Sequence, residues 1–221
     1  MKNLRILFFT VFMSQSLYAQ TVKLEKSNLT ANKVSMSFEN LGGKKVLRIC
    51  KDTTVKAVDE PTFVRINNLD FQDGSIEVKV LSRLLKTAKP SDRGFIGIAF
   101  RIDEKNATYE SIYIRPTNGR ADDQIRRNHS VQYYSYPDFK FDRLRKESPE
   151  KYETYADIGL NEWITLRIEL KGNKAVLYIN NQNSASFIVN DMLGSLKTGG
   201  IGLWVDVGTE GYFKDLKTTK K

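Results

Sequence analysis

The 221-residue sequence contains a single cysteine and a single histidine. Cys50 can close no intramolecular disulfide and supplies no thiolate metal cluster, so stability has to come from packing. It follows Ile49 in an alternating apolar stretch, where a buried, inert thiol is expected. His129 on its own excludes a metal site built on a histidine pair and a triad that needs a second histidine. Beyond the N-terminus no apolar run approaches the roughly 20 residues of a membrane-spanning helix. Helical periodicity is nearly absent and no internal repeat is visible. The formal charge is +9, yet basic residues are scattered among acidic ones and no nucleic-acid-binding module stands out. The densest basic cluster, Arg120 with Arg126 and Arg127, is interleaved with Asp122 and Asp123, a pattern that suits internal ion pairing as well as anion binding.

At the N-terminus, Lys2 and Arg5 precede an apolar run over residues 6–13 and a small-residue exit at Ser16-Leu17-Tyr18-Ala19. That order is the pattern of a cleaved secretory signal. Residues 1–19 are therefore expected to be removed on bacterial export, leaving a periplasmic or secreted protein. Residues 20–221 are long enough for one substantial core and are expected to form a single domain.

Strand signals dominate the rest. β-branched and aromatic residues alternate with polar ones between clusters of Gly, Asn and Asp. Residues 34–38 and 45–49 flank Asn40-Leu41-Gly42-Gly43 as a hairpin. Further strands are expected over 75–81, 95–101, 109–115, 164–170, 175–179, 201–207 and 212–216. Eight to twelve short strands without intervening helices argue for an all-β, two-sheet antiparallel sandwich. Residues 116–161 interrupt the rhythm with a polar and aromatic insertion too long for a plain connection.

The period of two assigns faces. Ile96, Ile98 and Phe100 form one apolar set, Ile112 and Ile114 another, and Ile201, Leu203 and Val205 a third. Gly97, Ala99, Arg101, Tyr113, Arg115, Trp204 and Asp206 then point away from the core, with small residues beside aromatic and charged ones. Such a surface suits a sugar: an aromatic plate stacks on the apolar face of a pyranose while Arg and Asp hold its hydroxyls. The competing structural reading makes Trp204 a rim or core aromatic and leaves the arginines solvated or ion-paired.

Residues 115–130 carry the densest side-chain chemistry, including Arg115, Asn118, Arg120, Asp122, Asp123, Arg126, Arg127 and His129. Asn118-Gly119 is a turn signal. His129 can act as a general base or as one metal ligand beside carboxylates. A Glu-x-Asp-x-x-Glu strand that would supply a glycosidase carboxylate pair is absent. Glu110 lies at the start of a strand on the Ile112 side, within reach of Asp122 or Asp123 only through the loop.

These residues resemble a known family. Gly94-Phe95-Ile96-Gly97-Ile98-Ala99-Phe100-Arg101 is similar to a Ser-Gly-Ile-x-Phe-Arg strand, and Tyr109-Glu110 to the Tyr-Glu that opens the next strand, of the 3-keto-disaccharide hydrolase-like group of the concanavalin A-like lectin and glucanase superfamily. Asn161-Glu162-Trp163 resembles its Gly-Glu-Trp, Tyr178-Ile179-Asn180-Asn181 its Leu-Asn-Gly turn, and Gly199-Gly200-Ile201-Gly202-Leu203-Trp204 with Phe213-Lys214-Asp215-Leu216 its closing strands. The likeness runs over about 60–217, and the segment 118–130 departs from the group's pattern. It implies a jelly-roll sandwich whose concave sheet binds saccharide, hydrolysis or elimination at a 3-keto glycoside, and Arg101 and Glu110 at or near the pocket. Sandwiches of the superfamily often carry calcium, but the chain has no Asp-x-Asp-x-Asp-Gly loop, so the metal stays open.

The combined expectation is an exported protein that binds and processes a glucoside-like saccharide in a concave groove. Glu110, Asp122 and His129 are the expected proton-moving groups. Arg101, Tyr113, Arg115, Asn118, Arg120, Arg127, Trp204 and Asp206 are the expected substrate-binding groups. The alternatives are a non-catalytic carbohydrate-binding module and a laminin G-like interaction domain.

Overall fold

The computed structural model describes residues 19–221. The secretory signal expected over residues 1–19 thus lies outside the described residues, apart from Ala19. Among the described residues no helix is long and apolar enough to cross a membrane.

The described residues form fifteen strands and three short α-helices. The strands are β1 (Gln20–Thr21), β2 (Leu29–Asn32), β3 (Val34–Leu41), β4 (Lys44–Lys51), β5 (Phe63–Phe71), β6 (Gly74–Leu84), β7 (Ile96–Ile102), β8 (Tyr109–Ile114), β9 (Val131–Tyr136), β10 (Glu153–Thr154), β11 (Ile164–Lys171), β12 (Lys174–Ile179), β13 (Phe187–Val189), β14 (Gly199–Val205) and β15 (Thr209–Lys220). The helices are α1 (Pro116–Gly119), α2 (Gln124–Asn128) and α3 (Phe141–Glu147). One sheet has the order β13-β12-β11-β6-β15-β4-β3, with β1 added to β15, and the other runs β10-β9-β8-β7-β14-β5-β2. All pairings are antiparallel, so the fold is a two-sheet jelly-roll sandwich.

Alternation drives this arrangement. In β6 and β11, Ile76, Val78 and Val80 pair in register with Ile168, Leu166 and Ile164, all buried. Across the sandwich, a Cβ on Gly211 of β15 would meet Val205 and Ile96, so the second sheet turns Ile96 and Val205 toward the first. Each aliphatic side chain enclosed this way contributes about 1.5–3 kcal/mol relative to exposure. The β3–β4 hairpin turns at Gly42 and Gly43, whose φ of 59° and 75° L-residues avoid.

The outer face of the second sheet is also covered. Phe63, Trp204, Gly97, Tyr113 and Gln132 lie in one row across β5, β14, β7, β8 and β9. Over them lie the β4–β5 connection and the insertion. Trp204 Nε1 donates to the Glu60 carbonyl at 2.9 Å. The Phe141 N–H donates to Asp59 Oδ2 at 3.0 Å, and Lys140 Nζ lies 2.7 Å from Glu60 Oε1, which fastens the insertion to that connection. The insertion is therefore ordered structure, supplying α1, α2, β9, α3 and β10 rather than one long loop.

Candidate functional site

The expected open groove floored by Gly97 and Ala99 does not form. Small residues there admit neighbouring aromatics: a Cβ on Gly97 would lie 2.5 Å from Tyr113 Cα. Tyr113 and Trp204 close over the gap with ring centroids 4.8 Å apart. Tyr109, Tyr134 and Phe63 complete the layer. Trp204 is fully buried and Tyr113 is 1% exposed. The stacking role expected of Trp204 is corrected on this point, since no face of its ring is open to a sugar. Tyr113 instead forms part of a cavity wall, its hydroxyl accepting from Arg115 Nη2 at 2.7 Å.

Arg101 is the second correction. It sits in a β-bulge, where Ala99 pairs with Gly202 but Ile102 with Gly200, and its φ is 52°. One extra residue reverses the alternation, so Arg101 turns toward the core side and Ile102 outward. Its Nη1 lies 3.4 Å from Glu110 Oε2, and its Nη2 donates to the Gly172 carbonyl at 2.7 Å. Glu110 Oε1 accepts from the Tyr133 hydroxyl and the Gly194 N–H. Arg101 and Glu110 line a cavity of about 270 Å³ with Ser135, Tyr136 and Leu193. Both are buried and held by protein partners, so Glu110 is not a free base in this structure.

The second cavity, about 370 Å³, lies at the other end of β8 and brings together Tyr113, Arg115, Asn118, His129 and Asp206 from the sequence expectations. Charged residues that those expectations left aside also line it: Asp59, Asp92, Arg93 and Arg145. So does Arg126, singled out above only as part of the charged segment.

Local structure explains the convergence. β8 ends at Ile114, Arg115 is the N-cap of α1, and Pro116 takes the first position of that helix, where a missing N–H costs nothing. Asp123 caps α2 by accepting from Ile125 and Arg126 N–H groups at 2.9 and 3.2 Å. α2 is capped at its C-terminus by His129, whose carbonyl accepts from Arg115 Nη1 at 3.0 Å and Asn118 Nδ2 at 3.2 Å. Gly119 permits the close approach beneath, since a Cβ there would stand 2.3 Å from the Ile158 carbonyl.

Glu153 is the hub of this charge network. Arg145 grips it in a fork at 2.8 and 2.6 Å, Arg115 Nη1 stands 3.6 Å away, and His129 Nδ1 lies 2.7 Å from Oε2. Burial pushes the Glu153 carboxyl up, but Arg145, Arg115 and His129 outweigh it and hold the group below the usual carboxylate value. Burial lowers the His129 pKa; Glu153 opposes this and the Arg145 and Arg115 charges reinforce it, so the imidazole is neutral at pH 7. Asp59 behaves oppositely. Burial, aided by the neighbouring Asp206 charge, pushes it up to about 6 against the Phe141 N–H, Arg115 and Lys140.

The remaining expectations are placed elsewhere. Asp206 lines the cavity, but Lys51 Nζ and the N–H groups of Val207 and Asp59 occupy its oxygens, so it holds the β4–β5 connection rather than presenting a free acceptor. Arg120 is exposed and pairs with Asp157 and Glu162. Arg127 stacks on Tyr155 and donates to its hydroxyl. Asp122 is exposed on the approach to α2, outside both cavities. Among the described residues no three His, Cys, Asp or Glu side chains gather in a way that could hold a metal ion.

A signal for the missed residues existed in part. Val-Gln-Tyr-Tyr-Ser-Tyr at 131–136 reads as a strand and would have placed 139–153 over the sheet. Asp59 and Arg93 sit in connections without periodicity, which betray nothing of their neighbours.

No curated protein matches the chain. Among solved structures it is similar to the carbohydrate binding module CBM66 from Bacillus subtilis, at 13% identity and a TM-score of 0.53, covering 85% of this chain and 96% of that one. It is also similar to a Bacillus subtilis protein with a galectin-like fold, at 9% identity and a TM-score of 0.51, covering 93% and 97%. At these identities the likeness establishes the shared sandwich. The sequence profile of the 3-keto-alpha-glucoside-1,2-lyase-like domain matches residues 30–219, nearly the whole described chain. The chain belongs to that 3-keto-alpha-glucoside-1,2-lyase-like domain family.

Proposed function

We propose that the cavity between Arg115, Arg126, Arg145, His129 and Asp59 binds a saccharide and eliminates across C1 and C2 of a 3-keto glycoside, in a protein exported from the cell. The observation that carries this is the meeting of a neutral imidazole, a carboxylic acid that titrates near 6 and several guanidiniums around one cavity of ligand size. A ketone at C3 acidifies the C2–H. His129 removes that proton, with Glu153 facing Nδ1 and leaving Nε2 as the base. The resulting enolate oxygen is stabilised by a fixed guanidinium, Arg115 being held in place by Gln132, Tyr113 and the His129 carbonyl. The C1–O bond then breaks, C1=C2 forms, and the departing oxygen takes the Asp59 proton. Products are an unsaturated keto sugar and the aglycone alcohol, with no oxidant or reductant consumed.

The test is turnover of a 3-keto glucoside by purified protein, followed by the absorbance of the enone. Wild type is expected to convert it, with kcat/KM falling about 100-fold or more in His129→Gln and Arg115→Met. A folded wild type with no turnover, or variants as active as wild type, would overturn the proposal.

A further inference from the structure

We propose that the saccharide accepted by this cavity carries an anionic substituent, a carboxylate or a phosphate, held by Arg93 and Arg126. The inference rests on the reading of the cavity as a saccharide site and goes beyond it to the class of sugar.

Of the four arginines lining the cavity, two have a carboxylate partner within the protein: Arg115 and Arg145 share Glu153. Arg93 and Arg126 are different. Arg93 Nη1 donates only to the carbonyls of Pro90 and Asp92, and Arg126 Nη2 makes one long contact, 3.4 Å, to the Thr117 carbonyl. Among the described residues neither guanidinium has a carboxylate ion-pair partner. Arg126 Nε is buried with no hydrogen-bond partner at all, and Asn118 Oδ1 in the same cavity is likewise unsatisfied. A buried unpaired donor is costly, the more so when charged, so such a group marks a place where something else binds.

The cations also stand close to one another. Burial, then the Arg126 and Arg115 charges, draw the Arg93 guanidinium below its ordinary value. Below about pH 6 the cavity's carboxylates relieve this only in part. Asp206 is paired with Lys51, Asp59 holds its proton up to about 6, and Asp92 Oδ2 is turned to the Lys89 N–H, offsetting Arg93 only in part. A neutral hexose would leave two repelling cations uncompensated. An oxyanion on the sugar accepts from both guanidiniums, and Arg forks match carboxylate and phosphate geometry in two parallel bonds.

The experiment is calorimetric titration of the full described chain with methyl glucuronide, glucose 6-phosphate, uncharged methyl glucoside and inorganic phosphate, in low salt and in high salt. At least one charged sugar is expected to bind about tenfold or more tightly than the glucoside, with the advantage shrinking in high salt. Whether the glucuronide or the phosphate wins identifies the substituent. Arg93→Gln and Arg126→Gln, checked for unchanged melting, are expected to lose the preference. Equal binding of charged and neutral sugars overturns this inference and leaves the elimination proposal standing. Inorganic phosphate binding as well as the sugar phosphate overturns it too, because the sugar then contributes nothing. No binding of any sugar, together with no turnover of a 3-keto glucoside, removes both.

Discussion

His129 Nδ1 lies 2.7 Å from Oε2 of Glu153, an oxygen that also accepts from Arg145 Nη2. A histidine facing a carboxylate at Nδ1 presents Nε2 as its basic atom, and the carboxylate steadies the imidazolium once a proton has been taken. The two arginines nearby work against that imidazolium. Burial, reinforced by their charges, keeps the resting ring neutral, which is the state a base requires. Glu153 and the arginines thus set the His129 proton affinity from opposite directions.

The pH profile follows from that opposition. Activity is expected to fall on the acid side as His129 protonates, with a midpoint below its ordinary value of 6.5. In Glu153→Gln the supporting charge is gone while Arg115 and Arg145 remain, so the midpoint moves further down. Because His129 is the only histidine, one imidazole resonance followed by NMR titration reads the shift directly even where turnover is low. An acid limb at or above 6.5 in wild type would contradict the assignment.

Asp59 predicts a stability signature of opposite sign. Its folded pKa of about 6 lies above the unfolded value of 3.8, so the folded state binds the extra proton between these two values. Stability from this group is complete below 3.8, declines as pH rises toward 6, and stays lost above it. Asp59→Asn removes the penalty while leaving an acceptor for the Phe141 N–H. Relative to wild type, the variant should gain on the order of 2 kcal/mol in denaturant unfolding between pH 4.5 and pH 7. It should also lose turnover if the Asp59 proton goes to the leaving oxygen. An unchanged difference at the two pH values would place the carboxyl in solvent.

The alternation of β6, β8, β11 and β14 made the sandwich and its inter-sheet core legible from sequence, and it placed Glu110 correctly on the Ile112 side. It misled at Arg101, because the bulge that reverses the period there carries no residue signature: the positive φ falls on Arg101 itself, not on a glycine. It misled at Trp204 for another reason. Period two separates two faces but does not say that both are covered, and the covering segments, 52–62 and 137–147, have no periodicity of their own. Arg115, Asn118 and His129 were legible as a group since they crowd one short segment. Asp59, Arg93, Arg145 and Glu153 reach the cavity only through tertiary structure.

Trp204 should behave as a packing residue. Trp204→Ala is expected to cost about 3–5 kcal/mol in unfolding free energy, the range for emptying a large buried aromatic site. Trp204→Phe keeps most of the ring contact with Tyr113 and loses the bond to the Glu60 carbonyl, worth about 1 kcal/mol. In the phenylalanine variant KM for the sugar should match wild type. A KM raised tenfold with unchanged melting would return Trp204 to the sugar-stacking role.

Arg101 and Glu110 form a buried pair, and their test is thermodynamic coupling. Removing Arg101 leaves Glu110 enclosed without a cation, and removing Glu110 leaves Arg101 with Asp73 Oδ1, 3.5 Å away, as its remaining carboxylate, at a cost of up to about 3–5 kcal/mol. Replacing both with apolar or neutral side chains of similar size removes the charges together, so Arg101→Met with Glu110→Gln should be less damaging than the sum of the single changes. The Tyr133 hydroxyl and Gly194 N–H keep an acceptor in the glutamine, which lessens the penalty further. Unfolding of the four proteins of the cycle reads a coupling on the order of 1–3 kcal/mol. Additive costs would mean that Glu110 is held by Tyr133 and Gly194 alone. Glu110 would then be free to act in the smaller cavity, and that cavity would become a rival site for the chemistry.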